Sequence, residues 1–69
     1  MKLSARNVLK GTIVEVKKGQ TTAHVRIDVG GGNVITASIT NESVDGLGLQ
    51  KGQSAYAIIK ASSVMIGVD

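Results

Sequence analysis

Between residues 21 and 29 apolar and polar positions alternate without a break. Ala23, Val25, Ile27 and Val29 fall on one side, and Thr22, His24, Arg26 and Asp28 on the other. A strict period of two is the pattern of a strand with one buried face. The same period returns over 34–40, where Ile35, Ala37 and Ile39 oppose Thr36, Ser38 and Thr40. Between the two runs stands Gly30-Gly31-Gly32-Asn33, which predicts a tight hairpin connection. An earlier strand is expected over 9–17, rich in β-branched residues, with Ile13 on one face and Thr12, Val14 and Val16 on the other. Gly11 interrupts that run and predicts either a bulge or a close backbone approach. Lys17-Lys18-Gly19-Gln20 reads as the turn that links it to the next strand.

The alternation fails over 41–49. Thr40 or Asn41 can cap a helical turn there, Val44 and Leu47 share one side, and Gly46 and Gly48 end it quickly. One short helix is expected. A fourth strand is predicted over 54–60 through Tyr56, Ile58 and Ile59, and a fifth over 64–68 after an Ala61-Ser62-Ser63 corner. Together these elements make an all-β fold, a small five-stranded OB-like Greek-key barrel with one short helix between strands 3 and 4. No linker, repeat or low-complexity segment divides the chain, so residues 1–69 are expected to form a single domain.

Composition changes this picture in one respect. A chain of 69 residues buries only about 60% of the surface it exposes when unfolded, and is marginal alone. Folds of this size usually rely on disulfides, a metal or partner subunits. There is no cysteine, and one histidine with five scattered carboxylates cannot supply a structural zinc or calcium site. Tyr56 is the only aromatic residue, so the core lacks the large rings that usually dominate burial. A homo-oligomer is the remaining means of stabilisation.

The net charge of +3 favours anionic partners without choosing among them. No apolar run is long enough to cross a membrane as a helix, and no hydrophobic signal region follows Met1-Lys2-Leu3; a cytoplasmic location is the expectation. Two donor clusters narrow the choice of anion. Ser4-Ala5-Arg6-Asn7 precedes the first strand, and Lys60-Ala61-Ser62-Ser63 follows the fourth. Thr40 and Ser43 add hydroxyls at the start of the helix. Arginine and lysine only donate, and serine can donate. No carboxylate sits in these clusters, which suits a small anion that only accepts. His24 has no second histidine to work with and reads as a solvated or interface residue. Gly30-Gly31-Gly32 lacks the following Lys-Ser/Thr and helix of a phosphate loop.

Ser4-Ala5-Arg6-Asn7-x-Leu9-x-Gly11-x-Ile13, Thr40-x-x-Ser43 leading to Leu47-Gly48-Leu49, and Lys60-Ala61-Ser62-x-Val64 together resemble a molybdate-binding Mop domain. Such units form the single-domain molbindins of the Mop or TOBE-domain family, and occur in tandem in molybdate-responsive regulators and transporter ATPases. The resemblance runs along essentially the whole chain. It implies a hexamer, a trimer of dimers, that stores molybdate or tungstate at intersubunit sites. Carried over by motif, one main site would use Ser4, Ala5 and Arg6 from one region and Thr40, Ser43, Lys60, Ala61 and Ser62 from another. A second anion position near the threefold axis is assigned to the turn Lys18, Gly19, Gln20, Thr21 and Thr22. Molybdate, doubly charged and fully deprotonated at neutral pH, fits a donor-only site, where charge-assisted hydrogen bonds are roughly twice as strong as neutral ones.

Two other readings stay beside this one. An OB-fold nucleic-acid binder would accord with the basic charge, but single-strand binding uses aromatic stacking platforms, and Tyr56 alone is a poor supply. A molybdate-sensing accessory module would need a partner carrying the DNA-binding or ATPase segment. Enzymatic activity is not expected, because no nucleophile–base pair, carboxylate pair or metal set is present.

Overall fold

The uninterrupted alternation of residues 22–29 buries Ala23, Val25 and Ile27 and leaves Thr22, His24, Arg26 and Asp28 exposed. Around this strand the computed structural model, which describes residues 1–69, places β1 (Asn7–Lys18), β2 (Thr22–Gly30), β3 (Asn33–Thr40), α1 (Asn41–Leu47) and β4 (Ser54–Ile59), followed by a 3₁₀ turn at Ala61–Ser63. All pairings are antiparallel, and the strands lie in the order β3-β2-β1-β4. β1 serves two partners. Its first half pairs with β4, from Asn7↔Ile59 to Thr12↔Ser54, and its second half pairs with β2, ending at Lys18↔Ala23. The result is a curled all-β sheet with one short helix, its core formed by Ile13, Ala23, Val25, Ile27, Val44 and Ala57.

Two local features set the curl. Gly11 is a close approach: a Cβ there would collide with the Asp28 carbonyl oxygen and come within 2.7 Å of Ile27 Cγ2. The bulge lies elsewhere, at Val14, where the β1–β2 register slips between Ile13 and Glu15. This corrects the expected facing of β1. An extra residue reverses the phase of everything after it, so Val16 packs against the core with Ile13 instead of opposite it. The β2–β3 hairpin closes through Gly31 and Gly32 at φ of 62° and 80°, a conformation that glycine adopts without strain.

The fifth strand is not formed within the chain. Residues 64–68 have no ladder partner, and Met65, Ile66 and Val68 are 91%, 89% and 94% exposed. The sheet edges β3 and β4 are not hydrogen-bonded to each other, so the barrel is open. An apolar groove of about 580 Å³ lies there, lined among others by Ile35, Ala37 and Ile39 from β3 and Ala55, Ala57 and Ile59 from β4. A strand exists only by pairing, and the segment meant to pair carries its apolar side chains into solvent.

Candidate functional site

The two donor clusters meet. Asn7↔Ile59 is the first rung of the β1–β4 ladder, and Asn7 Nδ2 also donates to the Ile59 carbonyl oxygen at 3.2 Å. Continued by one step, that register sets Arg6 opposite Lys60. Ser4, Ala5 and Arg6 line one side of a concavity of about 650 Å³, and Lys60, Ala61 and Ser62 line the other. The remaining lining residue is Ile58, which sequence reasoning assigned only to the strand.

The local sequence explains the shape. Lys60 follows the end of β4 and precedes Ala61–Ser63, a single 3₁₀ turn closed by Ser63 N–H to the Lys60 carbonyl oxygen at 2.9 Å. The first amides of such a turn have no partner within it. Ala61 and Ser62, which line the concavity, therefore bring backbone N–H groups without a partner in the turn, and Ser62 adds a hydroxyl. No Asp or Glu lines the concavity, and no cluster of His, Cys, Asp and Glu suited to a metal cation exists in the molecule. The donor set fits an anion that accepts on all sides.

Thr40 and Ser43 are not part of this concavity. Thr40 ends β3 opposite Thr22, at the end of β1 marked by Lys18, whereas Lys60 lies at the end marked by Asn7. The two parts therefore sit at opposite ends of β1, a strand of 12 residues, within one subunit. Thr40 is the helix N-cap: its Oγ1 accepts from Ser43 N–H at 3.0 Å and donates to Ser43 Oγ at 2.8 Å. That arrangement occupies the Thr40 hydroxyl and leaves the Ser43 proton free to donate.

The Lys18–Thr22 turn is also partly committed. Lys18 Nζ pairs with the Asp45 carboxylate on α1. Gly19 N–H donates to the Thr22 carbonyl oxygen at 2.8 Å. Asn41, which sequence reasoning treated only as a possible cap, fixes this turn to the helix: its amide Nδ2 donates to the Gly19 carbonyl oxygen, and its backbone N–H to that of Thr21, both at 2.9 Å. Gln20, Thr21 and Thr22 keep exposed polar side chains. His24 is exposed on β2, in register with Lys17 and Ser38 and without a carboxylate beside it in that row.

Comparison with known proteins places this geometry. A Haemophilus influenzae protein described as a "probable molybdenum-pterin-binding protein" is 52% identical over 69 residues, with both chains covered in full. The solved structure of MopII from Clostridium pasteurianum in an apo form is 45% identical and superposes with a TM-score of 0.91 over 97% of this chain and 100% of that one. The cytoplasmic molybdate-binding protein ModG, solved with molybdate bound, is 46% identical with a TM-score of 0.93; this chain is covered in full and matches 49% of ModG. The TOBE domain family model matches residues 3–66, and on that match together with these relatives the chain belongs to the TOBE domain family.

Proposed function

We propose that this chain binds molybdate and tungstate between the subunits of a homohexamer, a trimer of dimers, and so stores and buffers these oxyanions in the cytoplasm. The observation that carries the reading is that Arg6 and Lys60 line one carboxylate-free concavity. Support comes from relatives whose names and bound ligand specify molybdenum or molybdate. One subunit supplies Ser4, Ala5 and Arg6 with Lys60, Ala61 and Ser62. The helix start carrying Thr40 and Ser43 comes from a neighbour, because one subunit holds the two parts at its opposite ends. Ser43 donates to the anion, and Thr40 orients it.

The same assembly completes the barrel. Val64–Val68 of one subunit provides the fifth strand in the groove between β3 and β4 of another, where apolar side chains from both edges stand ready. The Lys18–Thr22 turn is a second anion position, served by Gln20, Thr21 and Thr22, since the Lys18 ammonium and the Gly19 amide are already bonded.

Native mass spectrometry with and without molybdate tests assembly and anion count together. A hexamer gaining a fixed number of anions is expected. Competition titrations should rank tungstate and molybdate together, sulfate well below, and phosphate lowest, because the proton on hydrogen phosphate faces only donors and an unmade buried hydrogen bond costs about 1–3 kcal/mol. Phosphate competing as well as molybdate would replace the donor-only site with a generic basic surface.

A further inference from the structure

Ile58 is the one bulky apolar side chain in the concavity, and donor chemistry gives no reason for it to be there. It lies two residues before Lys60 on the same strand face, opposite Val8, which lies two residues after Arg6. Of this pair only Ile58 lines the concavity, and it forms an apolar ledge in the same wall as the two cations. Ile58 is 47% exposed in the single chain and is not packed against the core, although it also lines the groove between β3 and β4. Its branched Cβ makes it stiff at χ1, and the ledge cannot swing away from whatever binds above it.

We propose that Ile58 is the residue that discriminates against sulfate; this rests on the oxyanion reading above. Sulfate and molybdate are both tetrahedral dianions that only accept hydrogen bonds, so Arg6, Lys60 and the hydroxyls cannot tell them apart by chemistry. Long lysine and arginine side chains follow a smaller anion inward, so the two cations do not enforce size either. The ledge acts differently. It takes water from one side of the anion and returns no donor. The cost of losing hydration grows as the ion becomes smaller, and buried polar groups left without partners are penalised. Sulfate, the smaller and more strongly hydrated ion, loses more on that side than molybdate.

Ile58→Val and Ile58→Thr test this directly. The two replacements have nearly the same shape and differ by a methyl against a hydroxyl. Calorimetric titration of each assembled protein with molybdate and with sulfate gives the ratio of the two affinities. The ratio is expected to stay at the wild-type value in Ile58→Val. In Ile58→Thr the added hydroxyl donates to both ions but returns more to the more strongly hydrated sulfate, so both affinities should rise and the ratio should fall about two- to threefold. An unchanged ratio in Ile58→Thr overturns the proposal, as does an equal fall in both variants, which would assign the effect to packing. If Ile58→Thr does not assemble, Ile58→Ser set against Ile58→Ala carries the same comparison of a hydroxyl with its apolar counterpart. A wild-type protein that binds no molybdate fails the oxyanion reading itself, an outcome separate from an unchanged ratio in the variants.

Discussion

Arg6 and Lys60 are brought together by backbone pairing and not by any attraction between them. The Asn7↔Ile59 rung and the Asn7 side-chain bond to Ile59 fix the strands, and the two cations follow. Each supplies a charge-assisted hydrogen bond to the proposed dianion, worth about 1.5–3 kcal/mol. Arg6→Ala and Lys60→Ala should each lower molybdate affinity by about ten- to a hundredfold by calorimetric titration, with the far-UV circular dichroism unchanged. Wild-type affinity in both would remove these residues from the site. Gly11 carries a different kind of constraint. A methyl group there meets the Asp28 carbonyl oxygen and Ile27 Cγ2, so β1 and β2 must separate to admit it. Gly11→Ala should destabilise the fold by about 1–3 kcal/mol, the usual range for overpacking, read as a lower midpoint in urea.

The start of α1 joins capping to binding. Thr40 Oγ1 satisfies the Ser43 amide, while its own proton goes to Ser43 Oγ. Ser43→Ala should leave the helix intact and weaken molybdate binding. Thr40→Val should do both kinds of damage, costing about 1 kcal/mol of stability through the lost cap as well as affinity. Equal binding losses with no stability difference between the two would contradict the division of roles. This helix, the glycine hairpin and the alternation of β2 and β3 are all legible in the sequence, because local chemistry alone dictates them. The Val14 bulge is not: a β-branched residue suits any strand, and no glycine or proline marks the slip. The Lys18–Asp45 pair joins residues 27 positions apart, and nothing local signals it. Both donor clusters stood out by residue type, whereas Ile58 did not, since a lone apolar residue in a strand reads as core. Residues 64–68 read as a strand whichever chain pairs with them, so the pattern could not say that no strand of this chain pairs with them.

At the scale of the molecule, the single chain is too open for its size. It exposes 5432 Å², where a compact 7.1 kDa monomer exposes about 4,100 Å². Its radius of gyration of 12.7 Å compares with about 11 Å for a compact domain of 69 residues. The excess area, about 1,300 Å², is larger than the roughly 800 Å² that one partner contributes to a standard interface. Only six residues are buried, and the largest of them is Ile13 or Ile27 in kind, never an aromatic ring. The apolar part of that excess, on the tail and in the groove between β3 and β4, is free energy that the proposed assembly would recover, at about 25 cal/mol for each Å² covered. Truncation after Ser63 removes the tail and leaves the Arg6–Lys60 concavity in place. Sedimentation at micromolar concentration should show one large species for the full chain and smaller, concentration-dependent species for the truncated one, with a clear loss of thermal stability. Molybdate affinity should fall with it, because a subunit without its neighbour has no Ser43 to offer the anion. A truncated chain that assembles and binds as the full one does would mean that the groove is closed by something other than the tail.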